Sequence, residues 1–405
     1  MSDPKEEDGA IDQDSTEVEK LVNAILLHAI KVRASDIHIE PFPGESVAVR
    51  YRIDGVLAPG PFGVPGRLRS LLNAKIKIMT GVMDITERRL PQTGRIQVLV
   101  QGNPVDLHVE MLPTLHGEAC VLRVLDRASL KRGIGELGFL PDTFEKLLAL
   151  FKGIGGRRAP GLVLVSGLAK TGKTTTLYSL LDHLKRPEIK IVTVESPVEY
   201  ELEGILQVPA NPGLGFDFTA ALRSIRRFDP DVVMTGEIGD AGTAELTLKT
   251  AMSGLVFSTV FTEDAPSAVS RLLEMGLEPT LVAAALKAVL AQRLARRLCA
   301  CRKPCDPSMA DVLVFKEHAA PLPAGAKLFE AAGCGSCGGT GYRGRIGLQE
   351  LLIMDDGLRG ACLRGGPEAL RAAARNTGMR TLVQDGLQKA LEGLTSVREV
   401  LDSTF

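Results

Sequence analysis

A glycine-rich segment near the middle of the 405-residue chain has the spacing of a phosphate-binding loop. It follows a predicted strand over 161–166 and opens a predicted helix over 173–185, which is the context that the motif G-x4-G-K-[ST] requires. Backbone amides of such a loop and the helix N-terminus bind phosphate oxygens, the lysine neutralises β- and γ-phosphate charge, and the final hydroxyl coordinates Mg²⁺. We therefore predict that these residues bind the phosphates of a nucleotide: Gly167, Leu168, Ala169, Lys170, Thr171, Gly172, Lys173, Thr174 and Thr175.

Acidic residues stand where two further predicted strands end. Glu195 and Glu199 follow the strand 190–194, and Glu237 follows the strand 231–235. The C-terminal ends of neighbouring parallel strands face the crevice in which ligands bind. Glu237 is our candidate for orienting water or holding Mg²⁺ through water, with Glu195 and Glu199 as helpers. The alternative for each acid is a solvated loop carboxylate.

Arg223 and Arg227 are four residues apart in a predicted helix and therefore share one helical face. They either stabilise phosphate charge or pair with the neighbouring Asp229 and Asp231. Both roles stay open at this point.

Five of the seven cysteines fall between residues 299 and 337. Clustered cysteine pairs in a cytoplasmic chain indicate a metal site more often than disulfides, and Zn²⁺ prefers four tetrahedral ligands. Cys334 and Cys337 form a regular C-x2-C pair, whereas Cys299, Cys301 and Cys305 are irregularly spaced, so one of these three thiols would be spare. We predict structural zinc, with Cys299, Cys301, Cys334 and Cys337 as the preferred ligands. The alternative is a surface insertion with buried or oxidisable thiols.

The composition is that of a soluble globular chain. Hydrophobic residues make up 45% and charged residues 24%, and the formal net charge is −1. These values argue against disorder and against the basic excess of a general nucleic-acid binder. No apolar run approaches the ~18 residues of a membrane span. The acidic N-terminus is unlike a signal peptide, and we expect a cytoplasmic protein.

The order of predicted elements indicates an α/β protein, because strands and helices alternate in the core as they do around a parallel sheet with crossover helices. The predicted core strands are 161–166, 190–194, 231–235 and 255–260, and the predicted helices are 173–185, 218–227, 241–252, 265–275 and 279–297. The predicted segments are an acidic tail (1–14), a small N-terminal α/β domain (15–128), a linker (129–160), the core (161–298), the cysteine-bearing insertion (299–345) and a C-terminal helical domain (346–405).

Taken together, the motifs resemble the type II secretion and type IV pilus assembly ATPases, the traffic ATPases of the secretion superfamily. The similarity covers roughly residues 30–405. The segments that carry it are SDIHIEP (35–41), VRYRIDGVL (49–57), RLPQTGRI (89–96), LPTLHGEACVLRVLD (112–126), TGKTTTLY (171–178), TVESPVEYEL (193–202), LRSIRRFDPDVVMTGEIGD (222–240), RRLCACRKP (296–304) and GCGSCGGTGYRGRIGLQELL (333–352).

The resemblance implies a RecA-like P-loop ATPase core, a mobile N-terminal domain, a tetracysteine zinc module and a hexameric ring. Arg89 and Arg95 match the family's RxPQ-GR segment and are implied to reach the nucleotide from the N-terminal domain. The implied cofactors are ATP, Mg²⁺ and structural Zn²⁺. The implied partner is an inner-membrane platform protein, which would make the chain peripheral at that membrane.

The chain also departs from the family's pattern. The histidine box, usually TGHLVxSTLHTN, lacks both histidines; one is replaced by Phe261, and no histidine occurs between His183 and His318. The other replacements are Leu168, Ala169 and Lys170 for Pro-Thr-Gly in the phosphate loop, Ser196 for the Asp of EDPxE, and Gly239 and Gly242 for an Arg and a Glu after Glu237.

Two functions follow from these matches and departures. The first is an ATP-hydrolysing motor, at a full or an attenuated rate, that energises type II protein secretion or type IV pilus assembly. The second is a catalytically weak nucleotide-binding paralogue that regulates or joins such a machine. A nucleic-acid-translocating motor is a third hypothesis, against which the near-neutral charge and the zinc-module sequence argue.

Overall fold

The computed structural model describes residues 17–43, 46–100, 103–125, 133–152, 159–364 and 366–405. The chain divides into two compact units, Met1–Lys131 and Arg132–Phe405. The predicted acidic tail 1–14 lies outside the described residues. None of the helices in the described ranges is both long and apolar enough to cross a bilayer.

The first unit is an antiparallel sheet with two helices packed against it. The strand order is β3-β2-β1-β7-β6-β5, and β4 pairs with β2. Its elements are α1 (Glu17–Lys31), β1 (Ala34–Pro41), β2 (Ser46–Ile53), β3 (Val56–Pro59), β4 (Val64–Pro65), α2 (Arg69–Thr80), β5 (Gln92–Val100), β6 (Asn103–Thr114) and β7 (Gly117–Leu125).

Alternating side chains explain the sheet of the first unit. In β1, Ile37 and Ile39 are buried while His38 between them is only partly covered, so one face of the strand joins the core that α1 and α2 complete. The turn from β2 to β3 uses Asp54 (φ 49°) and Gly55 (φ 94°). Positive φ at both positions is what a two-residue hairpin of this type requires, and Asp-Gly is a typical sequence for it.

The second unit is built on a seven-stranded sheet of order β10-β9-β11-β12-β8-β13-β16. Its elements are α3 (Pro141–Ala149), β8 (Gly161–Ser166), α4 (Lys173–Leu184), β9 (Ile191–Glu195), β10 (Leu206–Pro209), α5 (Phe218–Ile225), β11 (Val232–Glu237), α6 (Ala241–Ala251), β12 (Leu255–Val260), α7 (Ala265–Glu274), α8 (Pro279–Ala285), β13 (Leu286–Leu298), β14 (Lys303–Cys305), α9 (Met309–Glu317), β15 (Leu328–Glu330), β16 (Tyr342–Ile353), α10 (Asp356–Arg364), α11 (Pro367–Asn376), α12 (Leu382–Leu391) and α13 (Val397–Thr404).

Every strand pair in this sheet is parallel except the edge pair of β13 and β16. The four predicted core strands are confirmed as β8, β9, β11 and β12. All six residues of β8 and all six of β12 are buried, because helices cover both faces of a parallel sheet and continuous apolar runs form its strands.

The predicted helix over 279–297 is wrong beyond residue 285. The chain there leaves α8 and becomes strand β13, which pairs with β8 on one side and β16 on the other. The sequence LKAVLAQRLARRL consists mostly of good helix formers. Most of the strand is buried, so its apolar residues do not alternate and the sequence pattern cannot distinguish strand from helix.

The prediction of helix is likewise wrong for the first residues of the predicted C-terminal helical segment (346–405). Residues 346–353 belong to β16, the last strand of the sheet, and helices begin only at α10. Residues of α10, α11, α12 and α13 lie in the same hydrophobic core as the central strands. In the segment predicted as a linker, residues 134–137 form a 3-10 turn and α3 follows it.

Candidate functional site

The phosphate loop connects β8 to α4, as the motif requires. Its glycines are needed at the two ends: Gly167 has φ 155° and Gly172 has φ 86°. A Cβ atom on Gly167 would lie 2.5 Å from Thr171 Oγ1, and one on Gly172 would lie 2.8 Å from Gln292 Nε2. Both glycines therefore provide close packing as well as the left-handed backbone.

The middle of the loop is exposed. Leu168, Ala169 and Lys170 are all accessible to solvent. Lys170 adopts φ 63°, a left-handed conformation that costs a residue with a Cβ atom about 1–2 kcal/mol relative to the right-handed one. The loop keeps this conformation although the sequence has lysine there. Thr174 and Thr175 lie half-buried in the first turn of α4.

Lys173 is folded back onto its own loop. Its ammonium group donates hydrogen bonds to the carbonyl oxygens of Gly167 and Leu168, both at 2.8 Å, and lies 3.9 Å from the centre of the Phe261 ring. Burial lowers the pKa of Lys173 to about 8; the charge of Glu237 raises it in part and that of Arg293 lowers it further. The two groups that act on Lys173 electrostatically come from β11 and β13.

Gln292 and Arg293 are site residues that the sequence reading missed. Gln292 is buried beneath the loop, where its Nε2 donates to the carbonyl of Thr171 (2.7 Å) and its Oε1 accepts from Thr176 Oγ1 (2.7 Å). Arg293 is buried too and donates to the carbonyl of Glu263 (2.8 Å). The prediction of a helix over 279–297 did not identify either residue, because the pairing of β13 with β8 is what brings Gln292 under the loop and Arg293, its neighbour on the strand, to Glu263.

Glu237 ends β11 beside the loop, as predicted for an acid at a strand end. Thr259 on β12 pairs with it in the sheet, and the backbone N–H of Ile238 donates to the carbonyl of Thr259 (2.9 Å). Its carboxylate raises the pKa of Lys173. The strand-end acid therefore acts on the charge of the phosphate-loop lysine without a direct ion pair between them.

Glu195 points into the protein rather than into solvent. It is 3% exposed and accepts hydrogen bonds from Tyr178, from Thr193 Oγ1 (2.5 Å) and from Gln207 Nε2 (3.1 Å). Burial, followed by the charge of Glu195, raises the pKa of Tyr178. This arrangement ties β9 to α4 and favours a structural role for Glu195. Glu199 is half-buried after β9, and its charge raises the pKa of Tyr200 after burial does.

The two pairs of predicted arginines lie apart in the sequence and in different units. Arg223 lies on α5, and Arg227 lies in the turn after α5 rather than within the helix; both are exposed. Among the described residues, neither forms a salt bridge, so the predicted alternative of pairing with Asp229 and Asp231 is not observed.

Arg89 and Arg95 belong to the first unit, and each has an acidic partner there. Arg89 lies 3.3 Å from a carboxylate oxygen of Glu87 and is 89% exposed at its side chain. Arg95 lies 3.0 Å from Asp106, whose side chain is only 3% exposed. A buried carboxylate that accepts from an exposed guanidinium fixes the direction of Arg95 along the sheet surface.

Four cysteines of the insertion come together in the second unit. The sulfur atoms of Cys299, Cys301, Cys334 and Cys337 all lie within 4.8 Å of one another. The pairs Cys299–Cys334 and Cys301–Cys337 are 3.9 Å apart, and Cys334–Cys337 are 3.7 Å apart. Cys305 lies on β14 outside this cluster.

The backbone around the cluster favours thiolate. The N–H groups of Cys334 (3.1 Å) and Gly341 (3.2 Å) both point at the sulfur of Cys337. Burial alone would raise the pKa of Cys337, but these hydrogen bonds, together with those from the Cys334 and Cys301 side chains, outweigh it and bring the pKa to about 6. Gly341 has φ 77°, and a Cβ atom there would lie 2.4 Å from that of Ala331, so the turn that presents this N–H needs glycine.

Comparison with known proteins decides the family. The family model described as Type II/IV secretion system protein matches residues 12–402. The chain belongs to this family. This member is 44% identical over 99% of its length to the type IV pilus assembly ATPase PilB of Myxococcus xanthus, of which the match covers 71%. It is 42% identical over 95% of its length to the type II secretion system protein E of Xanthomonas campestris, of which the match covers 67%.

Solved structures of traffic ATPases share the fold of this family member. The ATPase DotB of Legionella pneumophila aligns with a TM-score of 0.68 at 18% identity, covering 96% of this chain and 97% of that one. The pilus retraction motor PilT, solved with bound ADP, aligns with a TM-score of 0.63 at 22% identity and the same coverage. The predicted family and the predicted fold class are confirmed.

Proposed function

We propose that this chain is an ATP-binding and ATP-hydrolysing motor subunit that energises type II protein secretion or type IV pilus assembly. The observation that carries the proposal is the phosphate loop between β8 and α4, with Glu237 at the C-terminal end of β11 in the same parallel sheet. Its named relatives include ATPases of both machines, which supports the same reaction for this chain.

Each residue has a role in the proposed reaction, the transfer of a phosphoryl group to water. Backbone N–H groups of residues 167–175 would hold the phosphates at the start of α4, and Lys173 would neutralise their charge. Thr174 and Glu237 would hold Mg²⁺, since a hydroxyl and a carboxylate are the oxygen ligands that this ion prefers. Bound Mg²⁺ would supply further neutralisation of phosphate charge. Glu237 would also orient the attacking water.

The arginines stay proposed site residues. Arg223 and Arg227 are exposed and without an acidic partner in the described part of the chain. Arg227 precedes the N-terminal end of β11, at the edge of the parallel sheet opposite the phosphate loop, so it has less support than Arg223. To contact a nucleotide, Arg89 would have to leave its ion pair with Glu87, and Arg95 would have to leave its ion pair with Asp106. Glu195 has less support as a helper, because its oxygens already accept three side-chain hydrogen bonds.

The four-cysteine cluster fits structural zinc. Tetrahedral Zn²⁺ with Zn–S bonds of about 2.3 Å sets its sulfur atoms about 3.8 Å apart, and the three pairs measured here are 3.7–3.9 Å apart. All four ligands being cysteine is typical of a closed structural site rather than a catalytic one. We propose that Cys299, Cys301, Cys334 and Cys337 hold this ion and that Cys305 is the spare thiol.

Metal analysis tests the zinc proposal. A Cys334→Ser/Cys337→Ser variant should lose the zinc of the wild-type protein, whereas Cys305→Ser should keep it. Equal zinc content in all three proteins would refute the ligand set.

The proposal extends to assembly and location. We propose a hexamer in the cytoplasm that acts on an inner-membrane platform protein, and family membership is what supports this part. The platform protein that the chain binds would determine which of the two machines it serves.

A second function, a catalytically weak nucleotide-binding paralogue, is favoured by one observation. Lys173 is occupied by two loop carbonyls and by the Phe261 ring, and Phe261 replaces a histidine of the family pattern given in the sequence analysis. Loss of one electrostatic contributor to a transition state costs ~10²–10³ in rate.

Phosphate release from Mg-ATP separates the two functions. For the motor, Lys173→Ala should abolish binding and Glu237→Gln should bind ATP but lose roughly 10²–10³ in rate. The matched controls are Lys249→Ala and Glu245→Gln on α6, whose side chains pair with each other at 2.5 Å and are each 52% exposed. They should keep the wild-type rate. Equal release by the wild type, Lys173→Ala and Glu237→Gln would contradict the motor and leave the weak paralogue.

A further inference from the structure

Phe261 covers the ammonium group of Lys173. The Nζ atom lies 3.9 Å from the ring centre, well within the distance at which the negative face of an aromatic ring attracts a cation. The ring is 46% exposed, so packing in the hydrophobic core does not hold it there. Its contact with Lys173 is an interaction at the mouth of the phosphate loop.

All the donors of Lys173 are used in this arrangement. An ammonium group has three N–H bonds. Two of them serve the carbonyls of Gly167 and Leu168, both at 2.8 Å, and the third side of the group faces the ring. A phosphate oxygen that takes the ammonium group must therefore displace a carbonyl or the ring.

The ring approaches Lys173 from the strand next to Glu237. Phe261 directly follows β12, and Thr259 of that strand pairs with Glu237 of β11. In the function proposed above, Glu237 acts at the terminal phosphate. The ring is therefore on the side of Lys173 where the terminal phosphate of a triphosphate would approach.

We infer that Phe261 competes with the terminal phosphate of a nucleoside triphosphate for Lys173 and so lowers the preference of the site for triphosphate over diphosphate. This inference rests on the proposed nucleotide binding. It makes Phe261 a specificity-determining residue, which sets how much binding free energy the terminal phosphate contributes. A diphosphate, which does not reach as far toward Glu237, leaves the ring in place.

Calorimetric titration with Mg-ADP and with a non-hydrolysable Mg-ATP analogue tests the inference. Phe261→Leu removes the aromatic face but keeps an apolar side chain. We expect it to tighten the binding of the triphosphate by about threefold to tenfold, the range of a partly exposed cation–π contact, and to leave the Kd for ADP within about twofold. Phe261→Tyr keeps an aromatic face and should keep the wild-type ratio of the two Kd values.

The matched control is Phe228→Leu. Phe228 forms the same kind of contact with Lys190, at 4.3 Å, away from the loop, and its loss should leave both Kd values unchanged. An unchanged ratio in Phe261→Leu, with nucleotide binding intact, overturns the inference but not the proposed function. If neither the wild type nor Phe261→Leu binds either nucleotide, the proposed function fails and the inference fails with it. A change of the ratio in Phe261→Leu alone supports both.

Discussion

Lys173 is a partly buried cation with a second cation, Arg293, close enough to disfavour its charge. Burial comes first among the causes that bring the pKa of Lys173 to about 8, below the usual value of 10.5. A buried lysine loses hydration of its charged form, and Glu237 restores only part of that loss. The charge on which phosphate binding depends is therefore lost at a lower pH than in most lysines.

This pKa predicts a pH dependence of nucleotide binding. The protonated form of Lys173 binds phosphate, and it is lost as the pH rises through the lowered pKa, so the Kd for ADP should rise roughly tenfold between pH 7 and pH 9. Titrations at several pH values measure the effect. Lys173→Arg, whose guanidinium keeps its charge, should bind more weakly but show a nearly flat profile. The same slope in both proteins would assign the pH dependence to another group.

Gln292 predicts a stability effect beneath the loop. Gln292→Ala leaves the carbonyl of Thr171 and the hydroxyl of Thr176 without their buried partners, at about 1–3 kcal/mol for each group that stays unsatisfied. We expect urea unfolding to show a loss of about 2–4 kcal/mol and weaker binding of ADP. Gln388→Ala on α12, whose amide makes only an exposed contact with Glu392, is the control and should change neither. If Gln292→Ala unfolded in urea with the same free energy as the wild type, water would have replaced the hydrogen bonds of the side chain.

At the scale of elements, β16 links the central sheet to the C-terminal helices. Glu350 on this strand accepts hydrogen bonds from the N–H groups of Ala265 (2.8 Å) and Leu382 (3.2 Å), at the starts of α7 and α12. The neighbouring Gln349 accepts from the buried ammonium group of Lys389 (2.6 Å) on α12. These buried polar contacts are why the last helices pack as part of the second unit.

Glu350 predicts how stability depends on pH. Burial raises its pKa to about 7, against the two backbone N–H groups and Arg293, which lower it. The pKa of Glu350 is higher in the folded state than in the unfolded state, so the folded state binds its proton more tightly. The contribution of this proton to the free energy of unfolding is complete below about pH 4.5 and is lost as the pH rises through 7. Between pH 5 and pH 8 the wild type should therefore lose about 2 kcal/mol more than Glu350→Gln does.

Urea unfolding at both pH values measures this difference. Glu350→Gln will be less stable overall, since its amide replaces one acceptor oxygen by a donor, so the comparison is between slopes and not between absolute stabilities. The exposed Glu392→Gln should follow the wild-type slope. Parallel slopes for wild type and Glu350→Gln would contradict the raised pKa.

At the scale of the whole molecule, two hydrophobic cores are separate. Among the residues that the structure describes, the core of the first unit draws on residues 18–124 and that of the second unit on residues from 162 onwards. Each core comprises a sheet with helices packed against it, and such a core is what lets a domain of this size fold by itself.

Separate cores predict separate folding. Fragments 17–125 and 133–405, expressed alone, should each unfold cooperatively in urea with the midpoint that the corresponding unit shows in the full chain. Circular dichroism and amide NMR spectra of each fragment check this outcome. A fragment that lacks a cooperative transition would show that its unit needs the other.

Local patterns in the sequence predicted the phosphate loop, the acid at the end of β11, the four core strands and the cysteine cluster. Each of these depends either on residues that are close in sequence or on a strand that is a continuous apolar run. The prediction of helix is wrong for residues 286–297 and 346–353, which form most of β13 and the later part of β16, because a strand buried on both faces shows no alternation of apolar and polar residues.

The sequence by itself determined the family of this chain, the nucleotide motif and the residue types at the site, since short motifs place their chemistry within a few residues. Only the tertiary structure decided that Gln292 lies beneath the loop, that Glu195 is turned inward, that Cys299 and Cys301 rather than Cys305 complete the cluster, and that Phe261 lies over Lys173. These contacts join strands distant in sequence, and their geometry follows from which strands pair and which side chains the pairing buries.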